Sequence, residues 1–472
     1  TKKHEFFRIT RLNNNETQVN IFKISKEGEI KNQPLYSRKF LTKETKEIRL
    51  YGIDGNDIFH VEGKVDDGIT IRIIGGPDKD SLFENSSVKG GTHKTKFYDN
   101  PGTSITASPE TKIRMDDSTF VYPFDEEFKY DVKGSRIAPG LNTFYRLFVG
   151  VGFKKRIHGW REKPFKYEQE YGVNFSLTEK SFHPYYRAIH PQIFSSWNLK
   201  YGLGFDGIRR INFFGIGNET INRSLADEKF NWLRTRNIYS FFGLDQFISK
   251  YHNIGFELTY DGVMVVPDDG RFISESNQQI DPSTFKWKHF GGTRITYSFL
   301  KINDRILPTK GADFTSSLSY TLNLKDRERS LTRLSSNLKL YIPIWNDISL
   351  FTNSGAATLW GQPEFYQYNN IGGGITLRGF VRTRFYGKSV VYQQNELRWL
   401  PTVRSYLFNG KAGLVALYDF GRVFIPGESS DKWHSAYGGG FVLSPFNKIS
   451  ATVLYSVSDE DRLFNLRLGM FF

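Results

Sequence analysis

From Asn142 to the end of the chain, apolar and polar positions alternate with a period of two. Tyr145, Leu147, Val149, Val151 and Phe153 oppose Arg146, Gly150 and Gly152, and Ile254, Phe256, Leu258 and Tyr260 oppose Glu257, Thr259 and Asp261. Near the C-terminus, Ile449, Ala451, Val453, Tyr455 and Val457 oppose Ser450, Thr452, Ser456 and Ser458. This is the period of β-strands whose two faces meet different surroundings. The pattern predicts sixteen strands, from 143–155 to 463–472, the shortest being the fifth at 210–217. Most are near the ~10 residues that carry a tilted strand across a bilayer. Tight connections such as 343–347 contrast with long ones such as 265–286 and 361–388. A soluble sandwich also buries one face, so strand number and loop asymmetry decide. They predict a 16-stranded transmembrane antiparallel β-barrel with both chain ends on one side.

Residues 1–137 read as a separate, small β-rich module, and 138–472 as the barrel. NIFKI, EIRLYGI, IFHVEG and ITIRIIGG are short β-branched alternations divided by Gly/Asp turns, with no helical period. Two turns are alike, Gly52-Ile53-Asp54-Gly55-Asn56-Asp57-Ile58-Phe59 and Gly75-Gly76-Pro77-Asp78-Lys79-Asp80-Ser81-Leu82. Both approximate the calcium nonapeptide, which makes Asp57 and Asp80 candidate Ca²⁺ ligands. Each lacks one of its glycines, however, and the two are not in tandem. The other reading is of Asx-type turns in a short solenoid-like module that binds no cofactor. From Phe97 to Asp131, a polar connector with three prolines approaches the barrel.

Mean hydropathy is −0.46, and no apolar run reaches the ~18 residues of a spanning helix. A barrel shows lipid only every second residue, so its mean hydropathy stays low. Aromatics make up 16% of the chain, which suits interface girdles. With no cysteine, neither disulfides nor thiolate chemistry is available. The net charge of +14 is scattered without a basic run, favouring anionic lipid headgroups over nucleic acid as a partner. The N-terminus lacks an initiator Met and an apolar leader, so the expectation is a processed chain or the C-terminal piece of a longer precursor.

The segment Asn370–Leu400 concentrates the remaining information. Gly372, Gly373 and Gly374 permit positive φ and close approach, and Leu377-Arg378-Gly379-Phe380 follows. In the next two strands, Glu396 and Asp419 fall on the faces opposite the apolar ones. If the apolar faces meet lipid, both carboxylates look into the lumen, where an entering guanidinium finds charge-assisted hydrogen bonds.

LRGF in a long loop, an E-x-R strand, a D-F-G strand and an aromatic C-terminus together resemble the BamA/TamA superfamily of outer-membrane assembly and secretion barrels, the bacterial surface antigen family. The resemblance extends from about residue 142 to the end. It implies that the loop-six motif Leu377, Arg378, Gly379 and Phe380 lies inside the barrel. Arg378 would pair with Asp419, with Glu396 a second candidate partner. It implies the outer membrane of a Gram-negative bacterium, with the N-terminal module in the periplasm. The partners implied are outer-membrane lipids including lipopolysaccharide, client outer-membrane or secreted proteins, and periplasmic or lipoprotein accessory subunits. Phe472 resembles the C-terminal signal of outer-membrane barrels. The module departs from the family, whose POTRA repeats contain helices.

An assembly barrel must open an edge, here between the first and last strands. Gly150 and Gly152 on one side and Gly469 on the other are the expected lateral-gate positions; the alternative is that they only relieve crowding. No nucleophile elbow, H-E-x-x-H, P-loop or phosphoesterase grouping is present, so no enzyme activity is expected of this chain. His183 and His190 face opposite ways on one strand, and Gly215-Ile216-Gly217-Asn218-Glu219 reads as the start of a surface loop. Two other functions stay open. The barrel also resembles the C-terminal part of Bacteroidota-type metallophosphatase–barrel fusions, which would make it the membrane anchor of a metallophosphoesterase. The third reading is a passive porin.

Overall fold

The structure is a computed structural model that describes residues 3–89, 93–116, 129–142, 144–160, 162–223, 227–275, 282–406, 408–446 and 448–470. It forms two compact units, Thr1–Lys129 and Tyr130–Phe472. The boundary falls before 137 because the first barrel strand starts at Val132.

In the first unit, β1 (Glu5–Asn13), β2 (Glu16–Ile24) and β3 (Ile30–Leu41) form an antiparallel meander. The chain then winds between two sheets through β4 (Glu47–Tyr51), β5 (Ile58–Val65), β6 (Thr70–Ile74), β7 (Ser81–Val88), β8 (Thr95–Asp99), β9 (Ser104–Thr106) and β10 (Thr111–Met115). One sheet runs β3-β2-β1-β5-β7-β9 and the other β10-β8-β6-β4. Ile58 pairs in parallel with Ser81, Ser81 with Ser104, and Glu47 with Thr70. Each step advances the chain by one 23-residue rung of a β-solenoid (58 to 81, 81 to 104, 47 to 70). The spacing of the two similar turns is therefore the rung itself. Ile9, Phe59, Val61, Ile71, Ile73, Leu82 and Phe97 fill the interior.

A column of carboxylates ties the rungs together. Asp57 Oδ1 accepts from the Glu5 amide and Asp80 Oδ1 from the Asp57 amide, both at 2.7 Å. Asp99 accepts from the Asn100 amide and the Thr103 hydroxyl, both at 2.7 Å. A Cβ on Gly75 would lie 2.3 Å from Asp80 and 2.5 Å from Asp99, so only glycine fits there. Among the candidate ligands Asp57 and Asp80, only one oxygen of each lacks a hydrogen-bond partner.

The second unit is an antiparallel barrel. Its strands are β11 (Val132–Asn142), β12 (Arg146–Ile157), β13 (Tyr167–Ser176), β14 (Ser181–Phe194), β15 (Trp197–Asn212), β16 (Trp232–Phe247), β17 (His252–Val265), β18 (Lys288–Ile302), β19 (Gly311–Asn323), β20 (Ser330–Trp345) and β21 (Ile348–Gly361). Then come a separate hairpin of β22 (Asn369–Ile371) and β23 (Phe385–Gly387), followed by β24 (Ser389–Trp399), β25 (Thr402–Arg404), β26 (Asn409–Phe424), β27 (His434–Pro445), β28 (Ile449–Ser458) and β29 (Arg462–Met470). The sheet runs in chain order from β11 to β29, and β24 also pairs directly with β26. Apart from the three-residue β25, sixteen long strands remain among the described residues.

The expected number survives through two compensating differences. Val132–Asn142 is a strand although VKGSRIAPGLN shows no clean alternation; Pro139 is tolerated because β11 is an edge. The expected strands 197–206 and 210–217 are one strand, β15, with a register shift between Asp206 and Arg209 that interrupts its alternation. Outward positions form an exposed apolar belt, including Leu203, Phe242, Leu258, Leu318, Leu397, Trp399, Phe441 and Leu466, as lipid contact requires. With β11 first, 362–388 is the sixth loop on the rim opposite the start of β11 and the end of β29.

Burial raises Asp57 to about 8, Asp80 to about 7 and Asp99 to about 6. The folded module therefore holds protons that the unfolded chain releases near pH 4. Their stabilisation is complete below that pH and is lost as pH rises toward 8. Hydrogen exchange of the solenoid amides in the whole chain is expected to show higher stability at pH 5 than at pH 8. Asp57→Asn with Asp80→Asn is expected to flatten that dependence.

Candidate functional site in the barrel lumen

Loop six folds back through a short ladder in which Asn369, Asn370 and Ile371 pair with Gly387, Tyr386 and Phe385. Beyond it the chain turns sharply. Gly372 has φ +123°, and a Cβ there would sit 2.4 Å from the Val381 carbonyl oxygen. Gly379 has φ +88° and would collide with Ala436. Leu377 and Phe380 are fully buried with Ile371, Phe385, Val390, Val423 and Ala436. This apolar anchor fixes Arg378 between them.

Arg378 is 2% exposed, and Glu396 and Asp419 are 0% exposed. Its Nε lies 2.7 Å from Asp419 Oδ2 and its Nη2 2.5 Å from Oδ1, a two-pronged ion pair. The Arg378 amide also donates to Asp419 Oδ2 at 3.1 Å, and Nη1 donates to Glu396 Oε1. The structure thus brings together LRGF and both expected partners. It adds Arg398, the arginine of the E-x-R strand, as a further partner of Glu396, and Arg467, which the sequence reading did not single out. Arg398 donates through Nε to Glu396 Oε2 at 2.8 Å, and Arg467 of β29 donates through Nη2 to Glu396 Oε1 at 2.7 Å. Arg467 was within reach of the alternation: Phe464, Leu466 and Leu468 face outward, so it faces inward.

A second buried arginine was also missed. Arg384, 0% exposed, donates to Glu460 through Nε at 2.6 Å and Nη2 at 2.8 Å, and to the Thr220 hydroxyl at 2.6 Å. Its guanidinium lies 4.6 Å from the Phe214 ring centre and 4.4 Å from that of Phe385. The GIGNE segment completes this cap. The Gly217 amide donates to the Tyr386 carbonyl at 2.8 Å, and the Asn218 side chain bonds both Val423 backbone groups at 2.8 and 3.1 Å.

The expected gate glycines divide. Gly469 lies on β29, an outer strand of the sheet, opposite Ser450. Gly150 and Gly152 lie on β12, one strand inside the other edge. They pair with Ala138 and Arg136 of β11, and with Asn174 and Gly172 of β13. The edge strand is β11, and these two glycines make room for Asn174 and the Tyr185 hydroxyl. Among the described residues no ladder joins β11 to β29. Phe472 lies outside the described residues. His183 is buried, stacked 3.8 Å from Tyr145 and 3.0 Å from the Ser181 hydroxyl, with Asp206 3.5 Å away. His190 stacks between Tyr167 and Tyr201.

The lumen is not filled by loop six. A polar cavity of about 660 Å³ is lined by Arg209, Arg294, Arg333, Asp261, Ser317, Asn337 and Tyr368, among others. A barrel with an infolded sixth loop and a buried Arg–Asp pair is a specific arrangement. Among solved structures the chain is similar to BamA from Haemophilus ducreyi lacking POTRA domains 1–3, with TM-score 0.55 and 12% identity over 73% of this chain and 71% of that one. The chain has the BamA barrel fold. CdiB from Acinetobacter baumannii aligns at TM-score 0.44 and 10% identity over 72% of this chain and 65% of that one. CdiB from Escherichia coli aligns at TM-score 0.44 and 12% identity over 73% and 63%. No family model and no curated protein matches the chain.

In this BamA-type barrel, Arg378→Ala leaves Asp419 buried without its ion pair. The expected loss is about 3 kcal/mol of barrel stability, read from urea unfolding in detergent. Asp419→Ala is expected to cost a similar amount, and the double variant little more than either alone. Unchanged midpoints in both single variants would contradict the buried pair.

Proposed function

We propose that this chain is an outer-membrane assembly or translocation barrel that inserts or moves envelope proteins through a lateral seam between β11 and β29. The observation that carries this reading is the pair of outer strands. Among the described residues, β11 and β29 each have a ladder on one side only. An unpaired edge is a template for another strand. Pro139 within β11, and Gly134 and Gly140 beside it, weaken closure of the seam with β29. The BamA fold and the loop-six cluster support the same reading.

In this reading the barrel spans the outer membrane of a Gram-negative bacterium. The belt of apolar side chains meets lipid, and lipopolysaccharide surrounds the rim that carries loop six. The solenoid module stands in the periplasm in place of POTRA repeats and receives clients or accessory subunits. The barrel itself performs no bond-making chemistry. Strand exchange at the seam needs only hydrogen-bond donors and acceptors that water or a client strand can satisfy in turn.

The chain has no cysteine, so disulfide scanning is direct. Cysteine pairs placed along Val132–Asn142 and Arg462–Met470 are expected to cross-link in native membranes where Cα atoms come within ~7 Å. The expected consequence is arrested insertion or secretion of client proteins, restored by reductant. A cross-linked seam that leaves clients unaffected would rule the function out.

A further inference from the structure

Loop six touches the terminal hairpin β28–β29 at several points, and these differ in kind. Near the hairpin turn, the Ser458 hydroxyl donates to the Gly379 carbonyl at 2.7 Å, and Glu460 receives two hydrogen bonds from Arg384. Partway along β29, Asn465 abuts Gly374, where a Cβ would come 2.9 Å from its Oδ1. Further along, the contact is with the barrel wall: Arg467 reaches Glu396 of β24 on the oxygen that also takes Arg378 of loop six.

The cost of breaking each ion pair follows from what it leaves behind. Freeing Glu460 would leave Arg384, which is fully buried, without its carboxylate and with only Thr220 and the rings of Phe214 and Phe385 around it. Freeing Arg467 leaves Glu396 still paired with Arg378 and Arg398, so no buried charge is orphaned. The Arg467 side chain is 42% exposed, so it returns to water cheaply.

We infer that Arg467 is a positioning residue, the releasable latch that holds the terminal strand to Glu396 of β24, the carboxylate that also binds Arg378 of loop six, and that Arg384–Glu460 is the pivot on which the hairpin turns. The inference rests on the seam reading above and deepens it: opening starts at the end of β29 and spares the Arg378–Asp419 pair. Loop six stays in place while the strand beside it leaves.

Hydrogen–deuterium exchange on the full chain in lipid nanodiscs tests this. Arg467→Met is expected to raise amide exchange in β29 about tenfold, with β16 and β17 unchanged. Arg467→Lys, which keeps the charge, is expected to recover much of the protection. Arg384→Met is expected to loosen the whole hairpin, including Ser458 and its turn. Unchanged β29 exchange in Arg467→Met would overturn the latch, whether or not the seam works as a gate. Faster β29 exchange supports the latch even if seam cross-linking leaves clients unaffected, an outcome that removes only the gate reading.

Discussion

A guanidinium enclosed in a barrel must find carboxylates there, and the rest of this structure is arranged around that requirement. Arg378 cannot be stranded in the lumen without a large electrostatic penalty. Its pairing with Asp419 and Glu396 therefore commits loop six to fold inward, and commits β24 and β26 to present those residues together. The glycines at 372 and 379 let the backbone reach the pocket, and the apolar anchor of Leu377 and Phe380 keeps it there. Three guanidiniums share two carboxylates, and the most exposed of the three belongs to the terminal strand.

That sharing links the interior to the edge. A closed sheet has no free strand to offer, whereas this one begins at β11 and ends at β29 with no ladder between them among the described residues. The contacts that hold β29 include its ladder with β28 and the ion pair of Arg467 with Glu396 on β24, the carboxylate that loop six also engages through Arg378. A barrel built in this way combines a rigid wall, fixed by the Arg378 cluster, with a hairpin whose attachment is graded from pivot to tip.

Much of this could be read from the residues because alternation reports on faces. The period-two pattern placed Glu396 and Asp419 inward and Leu397 and Leu414 outward, and the order of LRGF, E-x-R and D-F-G suggested which charges meet. The first strand escaped because an edge strand tolerates Pro139 and two glycines and so loses its pattern. The bulge after Asp206 split β15 in two for a similar reason. The unrecognised first strand moved the expected seam glycines, Gly150 and Gly152, one strand inward, and the split of β15 kept the strand number at sixteen. Arg384 was hidden because its partners, Thr220 and Glu460, come from distant loops and share no spacing with it. In the module, the two similar Asp turns do mark a repeat, but its unit is the solenoid rung rather than the nonapeptide.

The central claim is that clients engage the seam. A photo-cross-linking residue in place of Ile137 on β11 or Leu466 on β29, both exposed on the outer face, tests it in living cells during synthesis of new envelope proteins. The account predicts adducts to newly exported barrels or secreted proteins from both positions, absent from a control at Leu258 on β17, that disappear on chase as clients mature. Adducts to lipid alone, or equal adducts at Leu258, would contradict it.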